Sequence, residues 1–89
     1  MRYKLAVAAK VEKQLKRLPA DWATRIRKQI LLLADDPRPP GSKKIQGAHS
    51  IYRIRIGNYR VIYDVSDREL TVLIVKVGHR REIYRGKIR

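Results

Sequence analysis

The stretch RIRIGNYR, residues 53–60, is the clearest indication in the sequence of a β-sheet. Polar and apolar residues alternate on both sides of Gly57-Asn58, and this pattern predicts two antiparallel strands joined by a two-residue turn. The predicted cross-strand pairs are Ile56–Tyr59, Arg55–Arg60, Ile54–Val61, Arg53–Ile62 and Tyr52–Tyr63. The stretch therefore predicts a β-hairpin with a defined register.

The two faces of this hairpin differ in chemistry, because successive side chains of a strand point to opposite faces. One face suits packing on a core and carries Tyr52, Ile54, Ile56, Tyr59, Val61 and Tyr63. The other face receives Arg53, Arg55 and Arg60, with Arg55 directly opposite Arg60. Like charges in that position are unfavourable. A bound anion would explain why the arginines are placed together. The alternative is that they simply point outward into solvent.

A strand and two helices are predicted before the hairpin. Residues 2–7 alternate as a strand, and residues 8–18 switch to the apolar spacing of an amphipathic helix. Pro19 ends that helix. Asp21 is expected to cap a second helix, whose apolar stripe begins at Trp22. So short a link between the two helices predicts an antiparallel helical hairpin.

The remaining segments complete a small sheet. Residues 35–50 contain three prolines and two glycines, which predicts an irregular loop with a fixed course. Residues 70–77 are apolar on both faces apart from Thr71 and Lys76, which predicts a central strand. We expect a single α+β domain over residues 1–89 in the order β-α-α-β-β-β. Its sheet should be mainly antiparallel, with the N-terminal helical hairpin on one face.

Composition narrows the class of partner. The chain has 22 Lys and Arg against eight Asp and Glu, a net charge of +14, and this favours nucleic acid, with an acidic protein second. It has no cysteine, which excludes disulfides and thiolate zinc sites. It also lacks an apolar run long enough for a membrane span and a signal peptide, so we expect a cytoplasmic protein without membrane partners.

Common catalytic motifs are absent from the sequence. There is no phosphate-cradling glycine motif, nucleophile elbow or HExxH motif, and the two histidines stand far apart, so we expect neither a metal site nor a cofactor. In the tail, Arg80 and Tyr84 share a side whether the segment is extended or helical. Such a pair suits RNA, because a guanidinium grips phosphate and a phenol stacks on a base.

The sequence resembles the RelE/ParE toxin family of bacterial and archaeal toxin–antitoxin pairs over nearly its whole length. The resemblance is carried by KKIQG at residues 43–47, YRIRIGNYRVIYDV at 52–65 and VGHRREIYR at 77–85. RelE-like members of this family are ribosome-dependent endoribonucleases that cut mRNA in the ribosomal A site, whereas ParE-like members inhibit DNA gyrase. The basic and tyrosine positions of the RelE-like branch match Arg53, Arg55, Arg60, Arg80 and Tyr84.

The resemblance implies a toxin that cleaves mRNA by metal-free attack of a ribose 2′-OH, without a small-molecule cofactor. Its implied partners are mRNA, ribosomal RNA and an acidic, RelB-like antitoxin. Further RNA contacts are expected at Lys43, Lys44, His79 and Arg81. Two other functions stay open: a ParE-like gyrase inhibitor without nuclease activity, and a basic nucleic-acid-binding module without chemistry.

The proton-transfer groups are a separate question. Family members often have lysines at the two strand positions where this chain has Arg53 and Arg55, and arginine does not release its proton at neutral pH. His79 and Tyr84 are the remaining titratable candidates, and the pKa of a histidine suits neutral pH. The alternative is a purely structural role for each residue. His79 would then be an ordinary turn or strand-end histidine, and Tyr84 an aromatic side chain that docks the tail. For Arg80 the alternative is a surface arginine beside Glu82.

Overall fold

A computed structural model describes residues 2–79 of the chain, in two helices and five strands. The elements are β1 Lys4–Val7, α1 Ala9–Lys16, α2 Ala20–Leu32, β2 Lys43–Lys44, β3 Ile51–Ile56, β4 Tyr59–Ser66 and β5 Thr71–His79. The strands form one sheet in the order β1-β5-β4-β3-β2. Of these strands, β1 pairs in parallel with β5 and the others pair antiparallel. The predicted α+β class and the central position of the last strand are confirmed.

The core lies between the two helices and one face of the sheet. The helices contribute Val11, Leu15, Ile26 and Ile30, the C-cap of α2 contributes Leu33, and the strands contribute Ile54, Val61, Tyr63, Val65, Val72, Ile74 and Val77. These residues include most of the apolar stripes predicted for the two helices. Neither helix within residues 2–79 is long and apolar enough to cross a membrane.

Three local expectations differ from the structure. Pro19, not Asp21, occupies the N-cap position of α2 and makes no side-chain cap hydrogen bond. Asp21 lies in the first turn, where its charge interacts favourably with the helix dipole. The first helix is shorter than residues 8–18. The loop at 35–50 contains the two-residue strand β2, which follows from pairing with β3 and has no periodic pattern of its own.

The β3–β4 hairpin has the predicted register at every predicted pair. Gly57 has a φ of +62°, whereas Asn58 does not have a positive φ. A positive φ at the first central residue alone is the pattern of a type II′ turn. The Trp22 side chain of α2 covers this turn, and its ring centroid lies 5.3 Å from that of Tyr59. The hairpin turn is therefore packed against a helix and is not a free tip.

An irregularity interrupts the pairing of β4 with β5. Ile62 pairs with Lys76 and Tyr63 pairs with Ile74, so Val75 is an extra residue in β5. Such a β-bulge shifts the alternation of the side chains that follow it. Val77 is consequently buried in the core, 2% exposed, and Lys76 lies on the opposite face. Without the extra residue, Lys76 would share the core face with Ile74, where its charge would be costly to bury.

An arginine clasps the long loop to the sheet. The Arg38 guanidinium donates to both carboxylate oxygens of Asp67, at 2.8 and 3.1 Å, and its Nε donates to the Tyr52 hydroxyl at 3.0 Å. The Tyr3 hydroxyl donates to the same Asp67 carboxylate at 2.6 Å. The buried Tyr63 hydroxyl donates to the loop carbonyl of Pro37 at 2.7 Å, and burial raises the pKa of Tyr63 to about 12. These bonds give the loop its fixed course.

The turn at Gly57 provides a test of the packing. Gly57→Ala should destabilise the protein more than Gly47→Ala, although both glycines have a positive φ. Among the described residues, no atom lies within 4 Å of a Cβ added at Gly47, whereas a Cβ at Gly57 would stand 2.6 Å from Cζ3 of Trp22. We expect Gly57→Ala to lower the free energy of unfolding by about 1–3 kcal/mol more than Gly47→Ala does, as measured by urea denaturation. In a background of Trp22→Ala the excess should vanish, and its persistence would contradict the packing described.

The Arg38–Asp67 pair predicts a pH dependence of stability. Hydrogen bonding from Arg38, and next from Tyr3, holds the pKa of Asp67 below its ordinary value. The pair therefore adds stability above about pH 4, and this contribution is lost as pH falls through the lowered pKa. The Tm difference between wild type and Asp67→Asn should be present near neutral pH and should close in acid. Asp35→Asn, which removes an exposed pair with Arg2, is the control and should have little effect. A gap for Asp67→Asn that stays constant down to about pH 2 would refute this account.

Candidate nucleic-acid interface

The candidate site lies on the sheet face opposite the helices, which we call the arginine face because it carries Arg53, Arg55 and Arg60. Arg55 pairs directly with Arg60, and Gly78 of β5 follows in the same cross-strand row. The neighbouring row runs Lys43, Arg53, Ile62 and Lys76 across four strands. Two adjacent rows of the sheet therefore contain five cationic side chains.

Arg60 occupies the most unusual environment of the three arginines. It is 3% exposed, whereas Arg53 is half-buried and Arg55 is exposed. Its Nε and Nη1 atoms are buried and have no hydrogen-bond partner among the residues that the structure describes. Burying donors of a charged group without hydrogen-bond partners costs free energy. The contacts that the structure describes therefore give no reason in folding stability for a guanidinium at this position.

An anion that gained access to the Arg60 guanidinium would satisfy its two unpaired donors. The planar fork of arginine donors matches two oxygens of a phosphate in bidentate fashion. Gly78, the next residue in the row, places no side chain beside Arg60. Arg55 stands on the other side and adds charge to the same position. The arrangement can bind and polarise a phosphate, but it cannot accept a proton, because all three groups remain cationic.

The structure separates the two lysines that the sequence grouped together. Lys43 pairs with Arg53 and thus lies on the arginine face, whereas Lys44 pairs with Tyr52 and lies on the helix side of the sheet. Both side chains are exposed. Only Lys43 can therefore extend the arginine face directly.

His79 also lies on the helix side of the sheet. It pairs with Tyr59 at the end of β5, and its ring packs edge-on against Tyr59 with centroids 5.7 Å apart. Tyr59 in turn packs on Trp22, and the Arg25 guanidinium stands 5.0 Å from the centroid of that indole. The histidine thus belongs to an aromatic row beside the core and faces away from Arg60.

Three of the expected site residues, Arg80, Arg81 and Tyr84, lie outside the described residues. Within residues 2–79 there is no group of three or more His, Asp or Glu side chains placed to hold a metal ion. The structure therefore brings together Arg53, Arg55 and Arg60, as the hairpin pattern predicts.

Lys76 is a member of the arginine face that the sequence pattern did not reveal. It pairs with Ile62, one row from Arg60, because the extra residue Val75 shifts β5 by one position. A signal was present in the sequence: unbroken alternation would place a lysine beside Val72 and Ile74 on the core face. The conflict between that pattern and the cost of burying a lysine indicates a bulge.

Fold and site together define a small basic α+β protein with a cationic surface on one face of its sheet. Residues 5–84 match the family described as "ParE toxin of type II toxin-antitoxin system, parDE". Toxin RelE3 of Methanocaldococcus jannaschii is 36% identical, with 91% of this chain and 94% of that protein covered. The mRNA interferase toxin RelE of Escherichia coli is 26% identical, with 94% of this chain and 92% of that protein covered.

Solved structures agree with these sequence matches. A chain in the crystal structure of the archaeal RelE–RelB complex from Pyrococcus horikoshii superposes with a TM-score of 0.80 at 30% identity. The superposition covers 90% of this chain and 97% of that chain. The protein therefore belongs to the RelE/ParE toxin family.

The environment of Arg60 predicts a trade-off between stability and anion binding. Arg60→Met removes two buried donors that have no partner among the described residues, so we expect a free energy of unfolding within about 1 kcal/mol of wild type or higher. Inorganic phosphate should raise the Tm of the wild type, because a ligand bound to the folded state stabilises it, and should raise that of Arg60→Met less. The exposed Arg68→Met, in the turn before β5, should retain the wild-type response. An equal phosphate response in Arg60→Met and wild type would show that Arg60 does not bind the anion.

Proposed function

We propose that this chain is the toxin of a type II toxin–antitoxin pair and a ribosome-dependent endoribonuclease that cleaves mRNA by metal-free transesterification. One observation carries the proposal: Arg60 is buried in a cationic face, and two of its donors have no hydrogen-bond partner within residues 2–79. The similarity to the Escherichia coli protein named mRNA interferase toxin RelE supports the same activity. We further propose that the protein acts in the cytoplasm, where its proposed substrate, mRNA on the ribosome, is found.

In this mechanism the ribose 2′-oxygen attacks the adjacent phosphorus and the bond to the 5′-oxygen breaks. The products are a 2′,3′-cyclic phosphate and a free 5′-hydroxyl. A base removes the 2′-OH proton and an acid delivers one to the leaving 5′-oxygen. Arg60 would stabilise the charge that develops on the non-bridging oxygens, together with Arg80. Arg53 and Arg55 would hold and orient the RNA backbone.

The position of His79 bears on the choice of proton-transfer group. Its ring packs against Tyr59 on the helix side of the sheet, away from Arg60. This favours Tyr84 over His79 as the group that moves a proton or stacks on the base. His79 would then contact RNA without transferring a proton.

An acidic, RelB-like antitoxin is the proposed protein partner. The net charge of +14 in 89 residues favours an acidic chain that neutralises it. Relatives have been solved as complexes with RelB, including those from Pyrococcus horikoshii and Methanococcus jannaschii. Such a partner would inhibit the toxin most directly by covering the arginine face, where mRNA and ribosomal RNA would otherwise bind.

Gyrase inhibition is the second candidate function. It is favoured by the family match itself, which carries the name ParE and spans residues 5–84. The cationic arginine face would then contact DNA or an acidic surface of gyrase without chemistry. A supercoiling assay with purified gyrase separates the two functions, because only this second candidate inhibits that reaction.

The nuclease proposal is tested by single-turnover cleavage of mRNA on programmed ribosomes, with cuts mapped by primer extension. Wild type should cut mRNA only when it is bound to the ribosome. Arg60→Ala and Arg80→Ala should each slow cleavage by about 10²–10³-fold, because each removes a charge that stabilises the transition state. Tyr84→Phe should also slow cleavage, because it removes the hydroxyl that would transfer a proton.

The matched control is Arg68→Ala, an exposed arginine in the β4–β5 turn. It should cut at the wild-type rate, which shows that loss of one positive charge is not sufficient. Circular dichroism confirms that each variant is folded. If Arg60→Ala cut mRNA at a near wild-type rate, Arg60 would not be a catalytic residue.

A further inference from the structure

The bulge in β5 creates a cationic position at the edge of the arginine face. Beyond Ile74, β5 is no longer paired with β1, because β1 ends at Val7 and the chain turns into α1. Lys76 is the first residue after the bulge and lies on the arginine face opposite Ile62. It is half-buried and forms no ion pair within 4.0 Å among the described residues.

A cleft opens at this edge, between α1 and the second half of β5. It has a volume of about 300 Å³. Its described lining consists of Gln14, Arg17, Leu18, Lys76, Val77 and Gly78. Two of these side chains are cationic and none is acidic. The Oε1 atom of Gln14 accepts a hydrogen bond from the Val77 backbone N–H at 2.8 Å, which ties the helix to the strand edge.

We propose that Lys76 and Arg17 form a phosphate-binding subsite for the RNA strand, next to the phosphate held by Arg60. The inference rests on the proposed nuclease function and adds to it two residues outside the expected catalytic set. The link between the two positions is Gly78, which lines the cleft and also pairs with Arg60. A phosphate adjacent to the one at Arg60 would thus reach the cleft across a residue without a side chain.

The register gives the path of the RNA. Lys43, Arg53, Ile62 and Lys76 lie in one row across four strands. Three strand spacings of about 4.8 Å separate the two outer lysine Cα atoms, a span of roughly 14 Å. The RNA backbone would therefore run perpendicular to the strands, with Lys43 at one end and Lys76 with Arg17 at the other.

The distribution of charge on the same face supports this path. The next row beyond Ile62 contains Asp64, paired with Ile51 and Leu73, and Leu73 is 39% exposed. A carboxylate and exposed apolar side chains are unfavourable neighbours for phosphates. The row of Asp64 thus bounds the arginine face, and the RNA strand would be confined to the two basic rows.

The test measures binding of a fluorescein-labelled single-stranded RNA of about a dozen nucleotides by anisotropy over a range of salt concentrations. Each phosphate contact contributes about 0.7 to the slope of log K against log salt for a single strand. We expect Lys76→Gln and Arg17→Gln each to make that negative slope shallower by about 0.7. Lys76→Arg should restore the wild-type slope.

Lys4→Gln is the matched control, since Lys4 is an exposed lysine on the same face of the same sheet, beyond the row of Asp64. It should leave the slope unchanged. Equal slopes for Lys76→Gln and Lys4→Gln would overturn the proposal. Weakened binding of polyglutamate by Lys76→Gln, with unchanged binding of RNA, would assign the cleft to an acidic protein and would also overturn it.

Cleavage on programmed ribosomes separates this inference from the proposed function. Lys76→Gln should raise the protein concentration needed for half-maximal cleavage and leave the rate at saturation near wild type, unlike Arg60→Ala. If wild type cuts mRNA and Lys76→Gln behaves as Lys4→Gln, the subsite is wrong and the nuclease proposal stands. If wild type cuts no mRNA yet Lys76→Gln still lowers the salt slope, the subsite stands and the nuclease proposal is wrong.

Discussion

The register of β3 against β4 is the constraint on which the candidate site depends. Because side chains alternate with a period of two, a slip of one residue would exchange the two faces of a strand. The type II′ turn at Gly57-Asn58 prevents that slip, and Trp22 packs over the turn from α2. The same register that buries Ile54 and Val61 in the core sets Arg55 opposite Arg60. Core and site are thus two sides of one pairing pattern.

This coupling explains how the fold tolerates a costly arrangement of charge. The arginine face concentrates cations in adjacent rows, and Arg60 is nearly fully buried with no partner at Nε or Nη1 in the part of the chain that the structure describes. The favourable free energy comes from the other side of the sheet, where two helices cover apolar residues of three strands. A site built on paired strands is also held more rigidly than one built on loops, which suits groups that must be in place before charge develops on a substrate.

The long loop shows how much of the structure depends on contacts distant in sequence. Its prolines indicate a fixed course, but the residue that holds it is Arg38, which binds Asp67, 29 positions away, and Tyr52. No local pattern marks that pairing, because any of several acidic residues could have met this arginine. The same holds for β2, whose two residues are a strand only because β3 lies beside them.

The sequence alone predicts both helices, the four longer strands, the hairpin register and the set of three arginines on one face, because these follow from local periodicity and from a two-residue turn. It also carried enough of the family's motifs to indicate the RelE/ParE toxin family. The faces on which Lys76 and His79 lie, at the end of β5, depend instead on tertiary packing. Simple alternation would place Lys76 on the core face and His79 on the arginine face. The extra residue Val75 reverses both, since packing Val77 into the core is favourable and burying a lysine there is not.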